Sequence, residues 1–216
     1  MQRFEVLLLL SNVGLLVLLF VLKKERRPAS LFVASVISTI FMILHWTFEG
    51  PRLQLLLAYG ITLLFLALSS YASFKQTALP HLTRFWRGTV YAAIAAMLAL
   101  TAGLMYVFPV FKLPAPTGDF SAGTQTFHFI DANREEIFGG PEGGKRELIV
   151  QFWYPAQHAS GTPAPFIADR ALLKEEPLSK TVGFPSILMD YLKYIPSHSY
   201  LNAGLSNASP SYPVVI

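Results

Sequence analysis

Four long apolar runs dominate the first half of the chain. They cover roughly residues 6–22, 30–48, 53–71 and 89–108, and none contains Asp, Glu, Lys or Arg. A helix rises about 1.5 Å per residue, so about 20 residues cross the roughly 30 Å hydrocarbon core of a bilayer. One charge at mid-membrane costs about 2.5–3.5 kcal/mol, so uncharged runs are typical of lipid-embedded helices. The runs predict an α-helical transmembrane bundle with four spans, within a first domain of residues 1–112.

The first run is predicted to stay in the mature protein. Only Arg3 precedes it, and no small-x-small cleavage site lies before Lys23. The basic run KKERR follows at once at residues 23–27 and would hold the helix in the membrane. We therefore interpret the run as a retained span and not as a signal peptide.

Basic residues predict how the spans are oriented. The first 112 residues carry ten Lys or Arg, seven of them in the first and third loops. The other side has only Arg3, Arg52 and Lys112. Because basic loops stay in the cytoplasm, the N-terminus and everything after Phe111 should face outward. We expect an integral membrane protein of a bacterial-type plasma membrane, with the lipid bilayer as its partner and no nucleic acid bound.

The polar residues of the spans offer little chemistry. Ser11 and Asn12 are expected to bond to a neighbouring helix. His45, beside Trp46, is interpreted as an interfacial side chain, and a proton or metal site is the alternative. With no ionisable residue at mid-span, a transporter or a proton relay has little to use.

Cysteine is absent, which excludes disulfides, thiolate zinc sites and a Cys nucleophile. No pair of the five histidines has metal-ligand spacing, so no metal and no cofactor is expected. The three histidines of the second domain, His128, His158 and His198, are interpreted as surface or loop residues.

Residues 113–216 form a second domain with a different period. A proline-rich connector at 113–118 leads into an alternating β-rich run at 124–130 and a second, stronger β-rich run at 147–154, which predict two antiparallel strands joined by a long turn. The glycine-rich segment between them lacks the spacing of a phosphate-binding loop and indicates a turn. Two short helical patterns follow at 168–176 and 185–194, the second with an apolar stripe of Ile187, Leu188, Tyr191, Leu192 and Ile195.

The last five residues, YPVVI at 212–216, predict a third, buried strand. An apolar β-branched run needs strand neighbours on both edges and cover on its faces. We expect, on this ground, that the chain is the front part of a longer protein. With three strands the second domain would be poorly packed on its own.

One serine imitates a nucleophile motif. Residues 204–208 read GLSNA and match G-x-S-x-[GA] around Ser206. The motif works at a strained strand-to-helix turn, with an acid and a histidine later in the chain. Only ten residues follow Ser206, and none is Asp, Glu or His. We expect that Ser206 is not a nucleophile and that the chain contains no catalytic residue.

Several pieces of the second domain nevertheless resemble a known family when taken in order. They are Pro116-Thr117-Gly118, Gly123-Thr124, Phe127-His128, Asp131 with Arg134-Glu135-Glu136, residues 146–156 with Trp153-Tyr154-Pro155-Ala156, Pro185, His198-Ser199-Tyr200-Leu201, Ala203, Leu205-Ser206 and residues 212–216. In this order they resemble the entry to the platelet-activating-factor acetylhydrolase-like branch of the α/β-hydrolases. The resemblance covers roughly residues 114–216 and leaves the four spans outside.

The resemblance implies a fold and an activity. The fold would be the incomplete N-terminal part of an α/β-hydrolase domain, with the oxyanion turn and the Ser, Asp and His of the active site beyond Ile216. The whole protein would be a membrane-anchored serine carboxylic-ester hydrolase, with a lipid-like ester as a candidate substrate, and this chain alone would be inactive. The alternative is a non-enzymatic integral membrane protein with an outward interaction domain.

Overall fold

The computed structural model describes residues 2–22, 27–75, 83–137, 144–158, 163–167 and 186–215. The chain divides into two compact units, Met1–Val110 and Phe111–Ile216, which we call the helical unit and the sheet unit. The predicted helix at 168–176 lies outside the described residues, and so does the predicted glycine-rich turn at 139–144 except for Gly144.

Four α-helices build the helical unit. They are α1 Arg3–Val21, α2 Arg27–Phe48, α3 Leu56–Phe74 and α4 Arg84–Val107, with a 3₁₀ turn Leu53–Leu55 leading into α3. All four are long and apolar enough to cross a membrane. Each coincides with one of the predicted runs, because apolar side chains on every side of a helix suit lipid and a packed bundle alike.

The interior of the helical unit combines apolar packing with a few polar contacts between helices. Two apolar clusters fill it, one around Leu15 and Phe65 and the other around Leu8 and Met105. The Asn12 side-chain nitrogen lies 2.9 Å from the Thr62 hydroxyl, which confirms the expected bond from Asn12 to a neighbouring helix. Ser11 differs, because its hydroxyl donates to the Leu8 carbonyl of its own helix.

The sheet unit has four described strands, β1 Ser121–Glu135, β2 Lys145–Ala156, β3 Pro163–Pro165 and β4 Pro196–Leu201, in the order β2-β1-β4-β3. β1 and β2 are antiparallel, as predicted, and both extend beyond the predicted bounds. β4 runs parallel to β1 over three residue pairs, and β3 is antiparallel to β4. The sheet is therefore mixed.

The predicted strand at 212–216 is wrong for the described residues up to 215. None of them pairs with a strand, and the side chain of Val215 is 94% exposed. Backbone N–H and C=O groups form a strand only beside hydrogen-bonding neighbours, and no described strand lies next to this segment. Tyr212 instead packs its ring against Phe120 and donates its hydroxyl to the Ser206 carbonyl.

The second short helical pattern forms a 3₁₀ helix, Ser186–Tyr194. With 3.0 residues per turn, side chains spaced for an α-helix do not all fall on one side. Ile195 is fully buried whereas Ile187 is largely exposed, so the predicted apolar stripe does not face one core.

Candidate functional site

Residues that carry the family resemblance meet around Tyr154 in the sheet unit. Gly123 lies opposite Tyr154 in the β1–β2 register, and a Cβ added at Gly123 would lie 2.5 Å from Cε2 of the Tyr154 ring. The Tyr154 hydroxyl donates to the Ala203 carbonyl at 2.7 Å. The Tyr154 ring therefore requires a glycine at position 123 and a hydrogen-bond acceptor at its hydroxyl, which the Ala203 carbonyl provides. Gly123, Tyr154 and Ala203 belong to three separate pieces of the resemblance.

Backbone hydrogen bonds join the same pieces. Ser206 donates its N–H to the Pro155 carbonyl at 2.8 Å, and Gln157 donates to Gly204 at 2.9 Å. A further bond of 2.9 Å runs from the Asn202 N–H to the Thr124 carbonyl. These bonds hold the segment after β4 against the end of β2 and the start of β1. We call this arrangement the Tyr154 junction.

Ser206 has a structural place in that junction. Its side chain is buried, and its Oγ accepts a hydrogen bond from the N–H of Ala208 at 3.3 Å. The residue lies next to the bridge between Ala156 and Leu205, with no helix among the described residues after it. This is not the strand-to-helix turn that exposes a nucleophilic hydroxyl.

The histidines of the sheet unit are exposed, and two of them bond to groups other than Ser206. His128 Nε2 is 2.9 Å from a Glu147 carboxylate oxygen across the hairpin, and both side chains are exposed. His198 donates to the Leu113 carbonyl at 2.9 Å from an exposed position on β4. His158 is exposed after β2.

A second arrangement lies in the helical unit and was missed by sequence reasoning. Five polar side chains meet at one end of the bundle, and we call them the buried ionic cluster: Glu5, His45, Glu49, Arg52 and Tyr59. All except Glu49 are buried, and the Glu49 side chain is 11% exposed. Every one of the four helices contributes a residue or a carbonyl group to the hydrogen bonds of this cluster.

Glu49 is the acceptor at the centre of the cluster. Its Oε1 accepts the N–H of Phe4 at 2.9 Å, and its Oε2 accepts the N–H of Glu5 at 3.1 Å. The first N–H groups of a helix have no partner within the helix, so this carboxylate caps α1 from outside. Its negative charge also faces the positive end of the α1 dipole.

His45 and Tyr59 extend the network to α2 and α3. His45 Nδ1 lies 3.0 Å from Glu49 Oε2, and Nε2 lies 2.8 Å from the Tyr59 hydroxyl. The same hydroxyl accepts the N–H of Arg52 at 3.2 Å. A neutral imidazole protonated at Nδ1 satisfies all of these bonds, with the Tyr59 hydroxyl donating to Nε2.

Arg52 closes the cluster on the other side. One guanidinium nitrogen pairs with Glu5 Oε1, and the other donates to the Phe108 carbonyl. Phe108 is the C-cap residue of α4, where the helix dipole is negative. Arg52 therefore joins the start of α1 to the end of α4.

The prediction that His45 lies near the membrane interface stays a prediction, but its side chain is fully buried between Glu49 and Tyr59 at the end of α2. The signal available in the sequence was the i, i+4 spacing of His45 and Glu49, followed closely by Arg52. Within the described residues no group of three or more His, Asp or Glu side chains could hold a metal ion. The cluster thus offers buried charge and directional bonds between helices.

No family model matches the chain, and no curated protein matches it. Among solved structures, a ferulic acid esterase from Streptomyces cinnamoneus is similar at 29% identity, with a TM-score of 0.31. The aligned part covers 46% of this chain and 26% of that chain, so the chain spans about a quarter of the esterase. A TM-score of 0.31 is below the level that indicates a shared fold.

Proposed function

We propose that this chain is the N-terminal, membrane-anchoring part of a serine carboxylic-ester hydrolase. The observation that carries the proposal is the Tyr154 junction. Gly123, Tyr154 and Ala203 belong to three separate pieces of the family resemblance, and they meet in one packed, hydrogen-bonded arrangement. A chance similarity of short motifs does not require the motifs to meet in space.

In this proposal the sheet unit is scaffold. The β1–β2 hairpin and the segment after β4 would support an active site whose nucleophile, acid, histidine and oxyanion donors come from residues beyond 216. A positioned Ser–His pair and oxyanion donors supply most of the acceleration in such hydrolases. The 216 residues alone are therefore expected to be inactive, and neither a metal nor an organic cofactor is needed.

The four helices would anchor the enzyme with its sheet unit on the outer side of the membrane. The support is the excess of basic residues in the first and third loops, together with four helices of spanning length. Anchoring at a bilayer would keep the enzyme close to lipid-like esters, so short acyl chains on lipids are the substrates we favour. An alkaline phosphatase reporter fused after Gly123 should be active, because it would lie outside, and an active reporter after Lys24 would contradict the orientation.

The decisive experiment labels serine hydrolases with a fluorophosphonate probe in membranes of cells that express the native gene. An antibody raised against this chain should precipitate a labelled protein larger than 24.0 kDa. The purified 216-residue chain in detergent should remain unlabelled and should not hydrolyse p-nitrophenyl butyrate.

Three results would overturn the proposal. A native product that carries this chain but takes no probe would favour the non-enzymatic membrane protein. A native product of 24.0 kDa would exclude catalytic residues beyond 216. Labelling of the purified chain, lost in S206A and kept in the control S209A, would instead make Ser206 the nucleophile.

A further inference from the structure

We propose that residues 49–52, which connect α2 to the 3₁₀ turn before α3, form an ionic strap across one end of the helical unit. Glu49 fixes the start of α1 against α2, and Arg52 fixes the end of α4 against α1. The strap would hold the helices of the helical unit in one arrangement. This proposal does not depend on whether the protein hydrolyses esters.

The Glu49 half of the strap rests on its bonds to α1. The carboxylate accepts two backbone N–H groups of the first turn, those of Phe4 and Glu5. Glu49 thus reaches the first turn of α1 from the end of α2, beside the capping box that Gln2 and Glu5 form at the same helix start. Since Glu49 directly follows α2, this contact sets the position of α1 along α2.

The Arg52 half rests on its bonds to α1 and α4. The guanidinium contacts the Glu5 carboxylate and the Phe108 carbonyl. α4 is the least buried of the four helices and buries only Ile94, Leu98, Thr101 and Met105 among its described residues. From residue 84 to 93 the helix has no buried residue, and the half-buried Val90 and Tyr91 pack against the apolar cluster there. Its buried contacts lie in its second half, next to the bond that Arg52 makes to its C-cap carbonyl.

Side chains of α2 and α3 hold the strap in place. His45 is hydrogen-bonded to the Glu49 carboxylate and to the Tyr59 hydroxyl, and that hydroxyl accepts the backbone N–H of Arg52. Gly50 has a φ of 83°, a conformation that glycine adopts without strain. The backbone thus presents both charges inward, Glu49 to the start of α1 and Arg52 to α1 and the end of α4.

Charge is an unusual means of joining helices here. A buried ion pair is often no more stabilising than apolar side chains of similar volume, because both ions lose their hydration. A well-attested use of such groups is to select one arrangement among several packings. The directional bonds of Glu49 and Arg52 end on different helix pairs, and that division allows their roles to be separated experimentally.

The test measures distances within the full chain in lipid nanodiscs. Because the chain has no cysteine, pairs of introduced cysteines can be spin-labelled without removing any native residue. One pair at Leu7 and Tyr106 reports on α1 and α4, and another at Leu10 and Ile43 reports on α1 and α2. All four positions are exposed, so the labels leave the interior intact.

R52M should add a longer-distance population to the Leu7–Tyr106 pair and leave the Leu10–Ile43 pair unchanged. E49L should add a longer-distance population to the Leu10–Ile43 pair and leave the Leu7–Tyr106 pair unchanged. R84M, which removes an exposed arginine from the other end of α4, is the matched control and should change neither pair. Should R52M not fold, R52K keeps the charge without the two-pronged geometry and should give a smaller population of the same kind.

The proposal is overturned if R52M and R52K leave the Leu7–Tyr106 distances unchanged. It is equally overturned if the Arg52 and Glu49 variants broaden both pairs to the same extent. That result would mean that the charges loosen the bundle as a whole and hold no particular pair of helices.

Discussion

The carboxylate of Glu49 lies 2.9 Å from the backbone nitrogen of Phe4, although 45 residues separate them along the chain. A helix normally takes its cap from the residue just before it. At α1 the residues Gln2 and Glu5 form a local capping box, and Glu49 adds a second cap from the end of the neighbouring helix, so this second cap is also a contact between helices.

Replacing Glu49 should therefore weaken the helical unit through α1. E49L removes the carboxylate that accepts the N–H groups of Phe4 and Glu5 at a largely buried helix end, which costs about 1–2 kcal/mol. E49Q keeps an acceptor oxygen but loses the charge, and it should cost less. Unfolding in mixed detergent–SDS micelles, followed by circular dichroism, measures both. E147Q removes an exposed carboxylate and serves as the control, and an equal loss there would contradict the assignment.

The Glu5–Arg52 pair should behave as a coupled unit. Breaking a buried ion pair from one side costs about 3–5 kcal/mol, because the remaining charge has lost its partner. R52M and E5M alone should each be strongly destabilising, whereas the double variant should be much closer to wild type. The same unfolding experiment gives the coupling energy of the cycle. Additive losses would show that the two side chains stabilise the unit independently.

The helices and the first hairpin could be predicted because their signals are local. An uncharged apolar run of about 20 residues and a short β-rich run can each be recognised from its own residues. The α1 and β2 segments show these patterns without reference to any other part of the chain. The observed helices and strands begin and end a few residues away from the predicted positions, because capping and strand-pairing partners determine where each element stops.

The ionic cluster and the fate of residues 212–215 could not be predicted in this way. Glu5, Glu49 and Arg52 lie just outside the uncharged runs, where a single sequence suggests ordinary loop charges. Only the antiparallel packing of the helices brings them to the same end. Val214 and Val215 have the right composition for a strand, but pairing depends on neighbours that the segment itself does not specify.

Gly123 should be intolerant of any side chain. An added Cβ would lie 2.5 Å from the Tyr154 ring, so G123A forces the ring to move and should cost about 1–3 kcal/mol in the sheet unit. G118A is the matched control, because a Cβ there meets nothing within 4 Å. Fluorescence of Trp153 in a W46F/W86F background follows unfolding of this unit. Restored stability in G123A/Y154L would confirm that the clash is with the ring, and equal losses in G123A and G118A would argue against it.

Lys193 should titrate above its ordinary range. The hydrogen bond to Asp190, 2.6 Å long, raises the pKa of Lys193 above the usual 10.5, and partial burial opposes the shift. A raised pKa means that the stabilising contribution is complete below about pH 10 and is lost as the pH rises through the folded-state pKa. For a partly exposed pair it amounts to less than about 1 kcal/mol. A ¹³C NMR titration of the Lys193 Cε resonance measures this pKa, and it should give a lower pKa in D190N than in the wild type. An unchanged pKa would exclude Asp190 as the cause.

Val215 separates the behaviour of this chain from that of the proposed whole enzyme. In the 216-residue chain its side chain is 94% exposed, so V215D should change the stability of the sheet unit by no more than about 0.5 kcal/mol. In the proposed hydrolase the same residue would belong to a central strand, where an unpaired carboxylate is costly. V215D in the native gene should therefore abolish fluorophosphonate labelling, whereas S211D, exposed in this chain, should preserve it. Full labelling of the native V215D product would show that residues 212–216 are not a central strand. These residues would then no longer support the family resemblance.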